Sequence, residues 1–182
     1  DSLGALVFPG SPTQPLQALS WSRHTGALYF IEDGSGLTEL EVESSSDRTL
    51  AADAVYLTMA PNGRALYYRA RLADGTTGVL KRLGLETEAS TPISNQAFWF
   101  PVPSNADDVV AYSRRGDYAL RISGSDGSGN DVVASRGFPL VFSPDDREIL
   151  YSVHPSLHPA INLHPLHAQE RATGVVREVA ID

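Results

Sequence analysis

The feature that most constrains this chain is an internal repeat. "FSPDDREILY" (Phe142 to Tyr151) aligns without a gap on "MAPNGRALYY" (Met59 to Tyr68), and the two lie about two units of ~40 residues apart. Two weaker copies fall near the half-steps. "WSRHTGALYF" (Trp21 to Phe30) matches through "ALYF", and "VPSNADDVVAY" (Val102 to Tyr112) matches with Val109 set opposite Leu66. The chain therefore divides into four units near residues 16–51, 52–94, 95–137 and 138–182, within one domain spanning 1–182.

Each unit has the same internal order. An apolar run ("QALSWS", "AVYLTM", "AFWFPV", "FPLVFS") meets a polar turn, and a Tyr-rich run follows ("ALYFIE", "ALYYRA", "VVAYSR", "EILYSV"). Gly- or Asp-containing hairpins then lead to further short runs. Short β-prone segments bounded by turn formers predict an all-β fold, and a period near 40 residues predicts propeller blades of four strands each. In the turns, proline sets the first backbone angle, and Asn-Gly or Asp-Asp tolerates the left-handed conformation that a tight reversal needs. Leu28, Leu66, Val109 and Ile149 are the matching residues of the second strands and are expected to pack between neighbouring blades. The pairs Asp107-Asp108 and Asp145-Asp146 fall in turns, where solvation accounts for them.

"FSPDDREILYS" and "MAPNGRALYYR" resemble the TolB-like, or PD40, variety of WD40-like β-propeller repeat, whose signature is an apolar residue, Ser-Pro-Asp-Gly and a short strand. "WSRHTGALYFI" and "VPSNADDVVAYS" lack the proline in register or the glycine. The resemblance covers nearly the whole chain. It implies a propeller of four TolB-like blades, either a closed small ring or part of a larger one. Families with such repeats include periplasmic TolB, the gating propellers of prolyl-oligopeptidase-like enzymes, and sensor domains of membrane-bound bacterial regulators. None of their functional residues has a matching motif here. An open array leaves strand edges through which the chain is expected to self-associate unless they are covered. Residues 5–8, "ALVF", are placed to pair with the last blade in a closed ring.

Composition narrows the partners. The 14 Lys and Arg against 22 Asp and Glu give a net charge of −8, which disfavours a surface that tracks nucleic-acid phosphates. The sequence has no cysteine, so it forms no disulfide and offers no thiolate nucleophile. It contains no apolar run long enough to span a bilayer, so this segment is not expected to insert into a membrane. The first residue is Asp rather than Met, and the chain is read as a processed or trimmed piece. Its expected compartment is the periplasm or the cell exterior, with the cytoplasm as the alternative.

Four of the five histidines cluster in "VHPSLHPAINLHPLHAQE". Neutral imidazoles at His154, His158, His164 and His167 are candidate metal ligands. In a strand, however, His164 and His167 point to opposite faces, and prolines interrupt the spacing, so an extended hairpin of the last blade accounts for them as well. "DGSGND" (Asp126 to Asp131) alternates oxygen side chains as calcium loops do, but no bidentate Glu follows, and a Gly-rich hairpin explains it better. "RRGD" places Arg115 and Asp117 at a hairpin tip in the tripeptide that integrins bind, although Gly-Asp is also ordinary turn chemistry. Trp99, in "FWF", is a candidate contact at a channel mouth, with core packing as its other reading.

No GxSxG elbow, HExxH, phosphate loop or other cofactor motif occurs. The expected function is a non-catalytic module that binds, senses or scaffolds a protein, peptide or small ligand, with no cofactor. The alternatives are the gating portion of a prolyl-oligopeptidase-like hydrolase and the sensor domain of a membrane-bound regulator.

Overall fold

A computed structural model describes residues 16–32, 36–72, 77–97, 100–153 and 165–179. Among these residues sixteen strands form four separate antiparallel sheets, each with its strands side by side in chain order. Blade one holds β1 (Leu16–Ser22), β2 (Ala27–Glu32), β3 (Gly36–Glu41) and β4 (Ser46–Ala51). Blade two holds β5 (Ala54–Met59), β6 (Ala65–Arg71), β7 (Thr77–Gly84) and β8 (Ser90–Ser94). Blade three holds β9 (Val102–Pro103), β10 (Val109–Ser113), β11 (Leu120–Gly124) and β12 (Asp131–Ala134). Blade four holds β13 (Phe138–Phe142), β14 (Glu148–Ser152), β15 (Leu166–Glu170) and β16 (Val176–Val179). The chain is an all-β propeller of four blades, and its first strands lie side by side, β1 against β5, β5 against β9 and β9 against β13. Among the described residues no helix is long and apolar enough to cross a membrane.

Alternation along each second strand builds the core. In β6, Leu66, Tyr68 and Ala70 face blade one, where they meet Ala27, Tyr29 and Ile31. Ala65 and Tyr67, on the opposite face, meet Val110 and Tyr112 of blade three. Ala111 then meets Ile149 and Tyr151 of blade four. Side chains of period two on a strand covered on both faces thus serve two different interfaces. The outermost strands β4, β12 and β16 are largely exposed, which accounts for their charged and polar residues.

These faces correct the alignment of the third unit by one residue. Leu66 and Ile149 face the preceding blade, and the residue of blade three that does so is Val110, fully buried, while Val109 packs on the side of blade four. Counted from the turn, Leu28, Leu66, Val110 and Ile149 each stand six residues after Ser22, Ala60, Ser104 and Ser143. "SNADD" holds the same number of residues as "SPDDR", so apolarity alone could not choose between two adjacent valines.

The first turn of blades two, three and four is one structure. The N–H groups of Ala60, Ser104 and Ser143 donate to the carbonyls of Ala65, Val109 and Glu148 at 2.9, 3.0 and 2.9 Å. Gly63, Asp107 and Asp146 donate back to Ala60, Ser104 and Ser143 and carry φ values of +73°, +59° and +56°. This is a tight turn closed by one left-handed residue, a place that Gly takes freely and Asp tolerates.

That left-handed residue also latches the preceding blade. The Gly63 carbonyl accepts the buried Ser22 hydroxyl of blade one at 2.7 Å. The Asp107 carboxylate accepts the Tyr67 phenol at 2.6 Å and Arg82 Nη2 at 2.5 Å, both from blade two. The Asp146 carboxylate accepts the backbone N–H groups of Asn105 and Ala106 in blade three, each at 2.8 Å. Solvation therefore does not explain these two carboxylates. Asp107 has a side chain only 4% exposed, and Asp146 is spent on backbone, whereas Asp145 and Asp108 stay open to water.

Candidate ligand groove between the third and fourth blades

Polar residues at two positions open this site. Leu66 of β6 pairs with Leu83 of β7, and Ile149 of β14 pairs with Gln169 of β15, so Leu83 and Gln169 are structural equivalents. Two residues on, the N–H of Leu85 donates to the Arg64 carbonyl and the N–H of Arg171 donates to the Arg147 carbonyl, which makes Leu85 and Arg171 equivalent as well. In blade two both leucines pack into the interface with blade one. Blade four has Gln169 and Arg171 where the corresponding interface with blade three would need such a filling.

A groove of about 580 Å³ results. Val109, Ile122, Val133 and Ile149 form its apolar floor, and Asp131, Arg147, Glu170 and Arg171 stand around it. This volume lies within the range of small-ligand pockets. Arg171 is fixed rather than free, because its Nη1 donates to the Asp146 carbonyl at 2.9 Å, its Nη2 reaches Asp108 at 3.3 Å and its guanidinium lies over the Phe142 ring. Burial works against ionisation of Asp108, but the Ser104 hydroxyl and Arg171 outweigh it and hold the carboxyl below its usual value. Glu170 accepts the Thr173 hydroxyl at 2.5 Å. Gln169 differs from these groups, since its Oε1 is buried and has no hydrogen-bond partner among the described residues. An unpaired buried amide oxygen costs about 1–3 kcal/mol.

Of the residues singled out in the sequence, the described ones, Arg115, Asp117 and His167, do not line this groove. Arg115 and Asp117 sit at the exposed tip between β10 and β11. Asp117 is held by Arg114 and by the Ala119 N–H, with the Arg114 interaction foremost in lowering its carboxyl to about 2. The Arg115 N–H donates to the Gln96 carbonyl, so the tip is braced against the segment that leaves blade two. His167 lies on β15 and stacks on Tyr151, with ring centroids 5.7 Å apart. His154, His158, His164 and Trp99 fall outside the described residues. Among the described residues no three His, Cys, Asp or Glu side chains gather to hold a metal. The Asp126 loop is the hairpin from β11 to β12, with Asp126 Oδ1 accepting the Ser128 N–H at 2.8 Å.

Solved structures share this arrangement of blades over part of their length. The chain aligns with TolB from Acinetobacter baumannii over 91% of its own length and 43% of that chain, at 12% identity and a TM-score of 0.64. The fold is that of a TolB-like β-propeller. This TolB-like arrangement also aligns with an oligogalacturonate lyase in complex with manganese, at 17% identity and a TM-score of 0.64, over 88% of this chain and 51% of that one. A prolyl endopeptidase aligns at 12% identity and a TM-score of 0.62, over 91% of this chain and 29% of its own. The chain thus spans about half or less of the length of these neighbours. Identities this low speak for the fold, which carries unlike activities in the lyase and the endopeptidase. No protein-family model matches the chain, and no curated protein sequence does.

The groove was not legible in the repeat as the sequence displays it. Its signal, Gln169 and Arg171 in place of Leu83 and Leu85, emerges only when β15 is set against β7, and the segment before β15 has no counterpart in the other units.

Proposed function

We propose that the chain is a binding module, without catalysis of its own, that holds a small ligand or a side chain of a protein or peptide partner in the groove between blades three and four. The observation that carries this reading is the replacement of Leu83 and Leu85 by Gln169 and Arg171, which leaves an open apolar floor where blade two has a filled core. Among the described residues the groove's lining carries no hydroxyl, thiol or imidazole, and Asp146 and Arg171 are tied into the turns, an arrangement suited to recognition. The TolB likeness supports the same reading, and with it a periplasmic or extracellular setting. A ligand-observed NMR screen of small apolar and amphiphilic molecules tests it, run on the chain and on Gln169→Leu, which refills the site. Ligands that bind the chain and lose contact in the variant support the proposal. Ligands that bind both equally, or none at all, overturn it.

A further inference from the structure

Two of the charged side chains around the groove remain available to a ligand, and they stand on opposite walls. Asp131 opens β12 on the blade-three wall and pairs with Ile122 of the floor, so both side chains point to the same face. Its carboxylate has no hydrogen bond or ion pair among the described residues. Arg147 stands on the blade-four wall, two residues before Ile149. Its side chain is 80% exposed, and its contact with Asp145, at 3.6 Å, is too long for a hydrogen bond. The other three charges of the lining are engaged. Asp146 holds two backbone N–H groups, Arg171 holds Asp108 and the Asp146 carbonyl, and Glu170 holds Thr173.

Resting on the reading that this groove binds a ligand, we infer that its ligand is a short apolar peptide with free ends, its ammonium set against Asp131 and its carboxylate against Arg147. Opposite charges on facing walls fit a dipolar molecule whose ends lie apart, and Val109, Ile122, Val133 and Ile149 cover the apolar stretch between them. A guanidinium takes a carboxylate through parallel N–H donors, so the polarity of the peptide follows from which wall carries the arginine. Peptide groups have a further use here. The β12 strand is outermost in blade three, and its outer edge offers backbone N–H and C=O groups to an extended chain. A free amino acid carries both charges on one carbon and lacks the peptide groups for that edge.

Trileucine, N-acetyl-trileucine and trileucine amide test the inference, since they share the apolar body and differ in which end is charged. Titration of each into the chain, followed by backbone amide shifts, should place trileucine at Ile122, Val133 and Ile149. Acetylation of the ligand should weaken binding about twofold to fivefold, the scale of one exposed charge pair, and should make no difference to Asp131→Asn. Amidation should weaken it to a similar degree and make no difference to Arg147→Gln. Both substitutions fall on exposed side chains, so the fold should carry them. Free leucine is the remaining probe: binding weaker than trileucine supports the peptide, and equal or tighter binding overturns it in favour of a single amino acid. A loss on acetylation or amidation that persists in the matching variant overturns the assignment of Asp131 or Arg147. Equal affinity of the three peptides for the unaltered chain overturns the charge rule while leaving the groove a binding site. Absence of shifts in the groove with every probe overturns the inference and the binding reading together.

Discussion

The phenol of Tyr67, in the second strand of blade two, donates a 2.6 Å hydrogen bond to the carboxylate of Asp107, the left-handed residue in the first turn of blade three. Arg82 closes the same carboxylate from the neighbouring strand of blade two at 2.5 Å. Tyr67→Phe should cost about 1–2 kcal/mol, and Asp107→Ala about 3 kcal/mol, because the second strands both Tyr67 and Arg82. Denaturant melts of the two single variants and the double variant check this. The double variant should lose less than the sum of the singles, and strict additivity would mean that the bond contributes nothing.

Tyr67 also sets a limit at high pH. Burial, reinforced by Asp107, pushes its phenol well above the ordinary value near 10, and burial does the same for Tyr29. Above pH ~10 the unfolded chain releases these protons and the folded chain keeps them, so the unfolded state gains. Stability should be complete below pH ~10 and fall as the pH rises beyond it. Tyrosinate absorbance should appear together with loss of the fold. Tyr67→Phe should make the remaining alkaline decline shallower.

Asp146 offers a separate test of the latch to blade four. Asp146→Asn retains a residue that tolerates φ of +56° but removes the charge from the acceptor of the Asn105 and Ala106 N–H groups. The expected cost is about 1–2 kcal/mol. Amide exchange at Asn105 and Ala106 should quicken, while exchange in β2 and β6 stays as it was.

Gly36 is a position where the backbone requires glycine. Its φ is +80°, and a Cβ there would lie 2.3 Å from the Ala51 carbonyl oxygen. Gly36→Ala should destabilise by at least about 2 kcal/mol, through the left-handed backbone and the collision with blade one's outermost strand. Gly116, with φ of +104° and open space around it, should lose only the backbone part when replaced by Ala. Thermal melts of the two variants compare them directly.

Much of the architecture was legible because turn chemistry and apolar alternation repeat together. Pro61-Asn62-Gly63 and Pro144-Asp145-Asp146 announce the same turn, and the tyrosines that follow announce strands covered on both faces. Which valine of Val109-Val110 faces which neighbour was not legible, since both are apolar and both are covered in part or whole. The second duty of Asp107 and Asp146 was hidden for another reason. Aspartate in a turn satisfies local rules on its own, so its reach into the preceding blade leaves no further mark on the sequence. Gln169 was hidden because a single polar residue in an exposed-looking strand, "LHAQE", reads as surface until its partner Ile149 is known to be buried.

The three latches make the propeller a series of joints with different chemistries at one repeated address. Between blades one and two the contact is a hydroxyl on a carbonyl, between two and three a phenol and a guanidinium on a buried carboxylate, and between three and four a carboxylate on exposed backbone. Added salt would act on the last before the second, because its partners are exposed, and leave the first almost untouched. The joint beside the groove is therefore the one that ions in the medium reach most readily, whereas the other two keep their polar contacts shielded from them.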